Sequence, residues 1–177
     1  MLASSTLHWR DEADCAAWAA QLAARPALAD ALIELQGPLG AGKTTLVRHL
    51  LRALGVTGRI KSPTYTVMEP YVLAGGGEAA HFDFYRFNDP REWLDAGFRD
   101  VFARPGLKLC EWPDKAAGLL PPPDLRLIIA PADTPPAVAG AAGAASAASA
   151  ASAADDSVLA RQVQVQAFTP RGVALLA

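Results

Sequence analysis

The sequence predicts a three-layer α/β fold with a mostly parallel central sheet that is extended by antiparallel hairpins. The first indication is an apolar, strand-like run at residues 31–35 that leads through a glycine-rich turn into an amphipathic helix at residues 45–54. The second is that residues 63–87 and 125–168 each contain two strand-like runs. With 177 residues, the chain is expected to form a single domain whose core needs no disulfides.

Charge and cysteine content narrow the possible functions. The 16 basic and 18 acidic residues give a net charge of −2, and without clustered cations we expect any role on RNA to pass through a partner protein. Cys15 and Cys110 lie in no CxxC or Cys/His cluster, which argues against a zinc site and for a reducing compartment. The first residues lack the apolar core of a signal peptide, so we expect a cytoplasmic protein without a membrane span.

The N-terminal region is predicted to add a strand and a helix. Residues 6–10 have strand character, and Asp11 is placed to cap an alanine-rich helix over residues 12–24. Pro26 ends that helix, because proline lacks the backbone N–H that a helix interior requires.

Residues 37–45, GPLGAGKTT, match the phosphate-binding pattern GxxxxGK[ST] and form a P-loop. Glycines let backbone N–H groups close around phosphate oxygens, the lysine reaches the β- and γ-phosphates, and the hydroxyl binds Mg²⁺. The helix that follows directs its N-terminal N–H groups at the same anion. The predicted nucleotide-binding residues of this loop are Gly37, Leu39, Gly40, Ala41, Gly42, Lys43, Thr44 and Thr45.

The KSPTYT stretch that begins at Lys61 lies where a nucleotide-sensing loop would follow the P-loop helix. The hydroxyl of Thr64, or that of Ser62, is a candidate to contact the γ-phosphate or Mg²⁺. Hydroxyl residues beside a proline are equally common turn formers, and the sequence leaves both interpretations open.

Residues 80–87, AHFDFYRF, alternate as a strand and are predicted to form a hairpin with the segment before them. The alternation places His81, Asp83 and Tyr85 on one face. Asp83 is a candidate to bind Mg²⁺ or to orient the attacking water, and the alternative is a solvated carboxylate on the outer face of the hairpin. His81 is expected to order Asp83 or a partner contact.

A second candidate acid ends the apolar run Leu107–Glu111, which follows short helices predicted at residues 90–95 and 97–103. A charge at the end of a buried strand is costly unless it reaches a polar site. Glu111 is therefore predicted to bind Mg²⁺ together with Thr44, and a buried salt bridge is the alternative.

The last two strands are predicted at residues 125–130 and 161–168, with residues 134–156 between them. In that segment Gly or Ser recurs every third residue among alanines, a period that matches neither a helix nor a strand. We interpret it as a low-complexity insertion in a hairpin loop, with an alanine-rich helix as the alternative.

Taken together and in this order, the P-loop, KSPTYT, HFDFYR and the EWP at residues 111–113 resemble the motifs of the TsaE (YjeE) family. The resemblance is strongest from residue 31 to about residue 124. It implies a bacterial, cytoplasmic ATPase that takes part in forming threonylcarbamoyladenosine (t6A37) in tRNAs that read ANN codons. The resemblance also implies two partner proteins, TsaB and TsaD, of which TsaD carries the transferase chemistry. It implies that the protein contacts tRNA only indirectly and that Arg161 contacts the nucleotide.

The expected reaction is Mg²⁺-dependent hydrolysis of ATP, slow without partners because the motifs include no arginine finger. The predicted catalytic residues are Lys43, Asp83 and Glu111, and the predicted metal ligands are Thr44, Glu111 and Asp83; the two acids could exchange roles. A nucleotide-gated interaction module with little turnover and a small P-loop kinase are the alternatives. Residues 134–160 contain no arginine for a kinase lid, and no NKxD segment supports a GTPase.

Overall fold

The computed structural model describes residues 1–87, 89–132 and 160–177, and every structural statement below concerns these residues. The insertion predicted at residues 134–156 lies outside them, as does Asn88.

Seven strands form one mixed sheet in the order β1-β7-β6-β2-β5-β4-β3. The four strands β6, β2, β5 and β4 are parallel, whereas β7, β1 and β3 are joined to the sheet by antiparallel pairing. This arrangement confirms the predicted parallel centre with antiparallel hairpins at both sides. The strands are β1 (Ala3–Trp9), β2 (Leu32–Gln36), β3 (Met68–Val72), β4 (Glu78–Asp83), β5 (Leu107–Glu111), β6 (Leu125–Pro131) and β7 (Arg161–Ala167).

Helices connect and cover these strands. Asp11 caps the first helix as predicted, since its carboxylate accepts a hydrogen bond from the backbone N–H of Asp14. Asp89 and Glu92 form a capping box at the third helix. The helices are α1 (Glu12–Ala23), α2 (Lys43–Ala53), α3 (Pro90–Asp95), α4 (Phe98–Ala103) and α5 (Pro170–Leu176), with 3₁₀ turns at Pro26–Asp30 and Pro113–Ala116.

The prediction for β4 was wrong at its C-terminal end. The strand stops at Asp83 rather than continuing to Phe87, because the backbone N–H of Tyr85 donates to the Asp83 carboxylate and that of Phe87 donates to the carbonyl of Phe84. These bonds turn the chain away from the sheet. Tyr85 therefore does not share a strand face with His81 and is exposed.

Side chains on the two faces of the sheet form two hydrophobic cores, which confirms the three layers. The α2-face core lies under α1 and α2 and includes Cys15, Ile33, Leu35, Leu46, Leu50, Leu109 and Leu127. The aromatic core lies on the opposite face, under α3 and α4, and consists of Leu32, Ala80, Phe82, Phe84, Phe87, Trp93, Phe98, Cys110 and Ala116.

Within the described ranges, no helix combines the length and apolar character needed to cross a lipid bilayer.

Candidate active site at the P-loop

The loop between β2 and α2 adopts a backbone that only glycine accommodates at two positions. Gly37 has a φ of 142°, and a Cβ at this residue would lie 2.2 Å from the carbonyl oxygen of Ile129. Gly42 has a φ of 103° and immediately precedes the first helical residue, Lys43. The first N–H groups of α2 have no partner inside the helix and are available to an anion.

The Lys43 side chain is folded back onto this loop. Its ammonium donates to the carbonyl oxygens of Gly37 at 2.7 Å and Pro38 at 2.9 Å, and it lies 4.0 Å from the ring centroid of Trp112. Burial lowers the pKa of Lys43, although the neighbouring carboxylates of Glu111 and Asp83 act in the opposite direction. A phosphate that replaced the two carbonyl contacts would therefore meet a desolvated cation, to which it binds strongly.

Glu111 lies at the end of β5, directly beneath the first turn of α2. It is 2% exposed, and its two carboxylate oxygens lie 2.8 Å and 3.1 Å from the Thr44 hydroxyl, which donates to them. Its other close partner is His81, whose Nε2 lies 2.9 Å from Oε1. The predicted pair of Thr44 and Glu111 is thus brought together.

Asp83 lies opposite Glu111 in the register of the parallel strands β4 and β5. It is 4% exposed, so the alternative of a solvated carboxylate on the outer face of the hairpin is wrong. One carboxylate oxygen accepts hydrogen bonds from the hydroxyls of Ser62 and of Thr64, the latter at 2.9 Å. The structure therefore joins the KSPTYT loop to the candidate site through Asp83.

These residues form a donor set that suits Mg²⁺. The hydroxyl of Thr44 and the carboxylates of Glu111 and Asp83 offer oxygen atoms, and this hard cation prefers oxygen as a ligand. No group of three or more His, Cys, Asp and Glu side chains with metal-binding geometry occurs among the residues that the structure describes. A small protein donor set fits Mg²⁺, because in nucleotide sites the ion takes its remaining ligands from phosphates and water.

A cavity of about 590 Å³ adjoins the other side of the loop. It is lined by residues of the loop and of the N-terminal region, among them Trp9, Asp11, Gly40, Thr45 and Arg161. Its position and size suit the nucleoside part of a nucleotide whose phosphates lie on the loop.

Two of the residues that were predicted to bind nucleotide have an unexpected orientation. Arg161 donates from Nε to the carbonyl of Ala41 at 3.0 Å and from a terminal nitrogen to that of Gly40 at 3.3 Å. The side chain of Leu39 is 78% exposed at the tip of the loop. Arg161 therefore supports the loop backbone, and Leu39 can contribute to a phosphate site through its backbone.

Two further contacts were not foreseen. His81 was expected to order Asp83 or a partner contact, and the structure places its Nε2 beside Glu111. Trp112 has a φ of 56°, an unusual left-handed conformation for a bulky residue, and presents its ring to the Lys43 ammonium. The alternation of residues in β4 indicates on which face of the sheet His81 lies. That His81 contacts Glu111 follows only from the pairing of β4 with β5.

A glycine-rich turn from a parallel strand to a helix, facing a lysine, a hydroxyl and two buried acids, defines a protein with the three-layer P-loop NTPase fold. Comparison with known proteins agrees. The chain belongs to the TsaE family, since the sequence model of that family, described as threonylcarbamoyl adenosine biosynthesis protein TsaE, matches residues 9–135.

Several curated relatives carry the name tRNA threonylcarbamoyladenosine biosynthesis protein TsaE. The one from Haemophilus influenzae is 47% identical over 94 residues, which cover 53% of this chain and 59% of that protein. The one from Bacillus subtilis is 36% identical over 98 residues, which cover 55% and 60%. The chain thus matches about three fifths of the length of these relatives. A crystal structure of YdiB from Bacillus subtilis has a TM-score of 0.68 at 23% identity, covers 99% of this chain and 93% of its own, and shows the same fold.

Proposed function

We propose that this protein hydrolyses ATP with Mg²⁺ and thereby supports the formation of threonylcarbamoyladenosine in tRNA, together with TsaD and TsaB. In this proposal tRNA is contacted only indirectly, and the cytoplasm is the site of action. The observation that carries it is the convergence of Lys43, Thr44, Asp83 and Glu111 at the P-loop. The names of the relatives support the assignment to tRNA modification.

Phosphate binding rests on the loop and on Lys43. The backbone N–H groups at the start of α2 would surround the phosphate oxygens, and the ammonium of Lys43 would exchange the carbonyls of Gly37 and Pro38 for the β- and γ-phosphates. This exchange keeps the number of hydrogen bonds to Lys43 and replaces neutral acceptors with charged ones, which form stronger hydrogen bonds.

Thr44 and Glu111 would hold the metal, and Asp83 would complete its surroundings or orient water. Bound Mg²⁺ supplies positive charge that neutralises the phosphate oxygens. Asp83 keeps one carboxylate oxygen bonded to the hydroxyls of Ser62 and Thr64, so the two hydroxyls fix its orientation. The second oxygen accepts the backbone N–H of Tyr85 at 3.0 Å.

Slow turnover in isolation is expected because the sequence motifs include no arginine finger. An arginine that reaches the γ-phosphate in trans accelerates phosphoryl transfer by about 10³-fold or more in related NTPases. We therefore assign part of the catalytic rate to a partner protein.

A second candidate function is a nucleotide-gated interaction module with little turnover. The observation that favours it is Tyr65, which is 84% exposed next to Thr64 and lies under the guanidinium of Arg86 at 4.3 Å from its ring centroid. A loop that contacts Asp83 on one side and presents an aromatic ring on the other could report the bound nucleotide to a partner.

Measurement of ATP turnover alone and with the TsaB–TsaD pair separates the two functions. An ATPase releases phosphate with Mg²⁺ and does so faster with the pair, whereas an interaction module binds the pair in the presence of ATP without faster release. Both functions are refuted if the wild type shows no ATP binding and no phosphate release above the level of a Lys43→Ala control.

A further inference from the structure

We propose that His81 is a positioning residue that fixes the carboxylate of Glu111 for metal binding. The inference rests on the proposed function, because Glu111 is a metal ligand only if the loop holds a Mg²⁺-nucleotide. His81 itself would touch neither the metal nor the nucleotide.

The contact is geometrically specific. His81 is fully buried, at 0% exposure, on the face of β4 that points toward α2. Its Nε2 lies 2.9 Å from Oε1 of Glu111, which is itself 2% exposed. A carboxylate oxygen is only an acceptor, so the imidazole hydrogen that forms this bond lies on Nε2.

The two donors to Glu111 have different effects on the carboxylate. The Thr44 hydroxyl lies close to both oxygens, at 2.8 Å from Oε1 and 3.1 Å from Oε2, and does not distinguish strongly between them. The imidazole approaches Oε1 alone. His81 therefore restricts the rotation of the carboxylate.

The two nitrogens of the His81 imidazole have different surroundings. Its Nδ1 is buried and has no hydrogen-bond partner in the described part of the chain. A buried polar atom without a partner reduces stability, and the bond from Nε2 to the buried Glu111 carboxylate offsets that cost. The bond from Nε2 to Glu111 is the contact that only a donor of this length can make, and carboxylates that bind metals are commonly held by such outer hydrogen bonds.

Three variants of His81 test the inference. Glutamine carries an amide N–H at about the reach of Nε2, asparagine carries one that is too short to meet Glu111, and leucine carries none. The probe is ADP, which is not turned over, and its affinity is measured by titration calorimetry with Mg²⁺ and with EDTA. The melting temperature of each nucleotide-free variant is recorded as well.

We expect Mg²⁺ to strengthen ADP binding in the wild type and in His81→Gln. In His81→Leu and His81→Asn this gain should fall by about 10- to 100-fold, which is the usual cost of losing an outer partner of a metal ligand. ADP affinity in EDTA should stay unchanged in all three variants. His81→Leu and His81→Asn should melt lower than the wild type, because each leaves the buried Glu111 carboxylate with one hydrogen-bond donor fewer.

The inference is overturned if His81→Leu keeps the full gain from Mg²⁺, or if His81→Asn and His81→Gln behave alike. The second comparison decides the matter even if the leucine variant does not fold. A wild-type protein that binds no ADP at all would instead refute the proposed function.

Discussion

At their C-terminal ends, strands β4 and β5 present opposite chemistry on their two faces. Toward α2 they carry three buried polar side chains, His81, Asp83 and Glu111. Toward α3 and α4 they carry Phe82 and Cys110, which alternate with these polar residues. Each of these three polar side chains is therefore a sequence neighbour of a side chain that packs in the aromatic core.

The comparison shows how buried polar groups can be tolerated next to each other. Burying three polar side chains costs folding free energy. Aromatic packing on the opposite face offsets this cost. There the ring centroid of Phe82 lies 4.8 Å from that of Phe102, 5.3 Å from that of Phe98 and 5.6 Å from that of Phe84. Since the same backbone carries both faces, packing in the aromatic core holds the acids in place. We expect changes on the first face to affect function and changes on the second to affect stability.

The largest effect on the polar side is expected for Lys43→Ala. Loss of this donor should lower the rate of ATP hydrolysis by about 10²- to 10³-fold or more, the usual effect in enzymes that lose one hydrogen-bond donor to the transition state. It should also remove most of the thermal stabilisation by ATP, about 2.7 kcal/mol at a concentration of 100 times the dissociation constant. Phosphate release and melting curves measure the two effects, with the exposed Lys115→Ala as control. An ATP-induced shift equal to that of the wild type would refute the role of Lys43.

The acids come next. Asp83→Asn and Glu111→Gln should lose turnover while they remain folded, because each replacement keeps the shape of the side chain and removes its charge. Glu111→Gln should in addition need more Mg²⁺ for half-maximal activity. Circular dichroism and Mg²⁺ titrations of phosphate release measure this, and Asp95→Asn on the exposed surface of α3 is the control. If both variants keep wild-type turnover, the two acids have no catalytic role.

On the aromatic side, Phe82→Ala should reduce stability by about 3–5 kcal/mol, the usual cost of removing a buried phenyl ring. The fraction that remains folded should still be stabilised by ATP, because the ring lies on the face away from the loop. Urea denaturation with and without ATP measures both quantities. A normal stability combined with lost ATP binding would contradict the division of roles between the faces.

Glu34 is an exception that sharpens the comparison, since it is a buried acid on the face opposite α2. Burial raises its pKa above the usual 4.5, and the hydrogen bond from Arg126 at 2.8 Å only partly offsets this. The folded state thus holds the proton more tightly than the unfolded state. The contribution of Glu34 to folding stability is therefore complete below about pH 4.5, its pKa in the unfolded chain. It is lost as the pH rises through the higher pKa that Glu34 has in the folded state.

In Glu34→Gln this contribution should no longer vary with pH. Urea denaturation from pH 4 to 7 measures the unfolding free energy of both proteins. As the pH rises, the wild type should become less stable relative to the variant. A change in favour of the wild type would show that the ion pair with Arg126 outweighs burial.

The smallest effect is expected for shortening the segment between β6 and β7. These strands are paired up to Pro131 and Arg161, and the N–H of Ala132 donates to the carbonyl of Ala160 at 2.9 Å. An alanine-rich segment has few side chains with which to offset an ordering cost of about 1–2 kcal/mol per residue. Replacing residues 136–154 with a short Gly/Asn turn should leave ATP hydrolysis, binding to TsaB–TsaD and the melting temperature unchanged. A marked loss of any of these would show that the segment has a role.

The parts of this molecule that are local in sequence could be predicted from it, and those that depend on strand order could not. The turn from β2 into α2 follows from neighbouring glycines and an amphipathic pattern, and so does the Asp11 cap. The contact of His81 with Glu111 requires that β4 lie beside β5, which no local pattern states. Likewise, Arg161 reaches the P-loop carbonyls because β7 pairs with β6 and β6 pairs with β2.

The two cysteines give chemical access to the two cores separately. Cys15 is buried in the α2-face core and Cys110 in the aromatic core, and neither forms a disulfide. Burial raises the pKa of the Cys15 thiol to about 12 and that of Cys110 well above its ordinary value, so neither thiol reacts until its surroundings open. The rates at which the two residues are alkylated in the native protein therefore report which face of the sheet opens first, and a bound nucleotide should slow one rate more than the other.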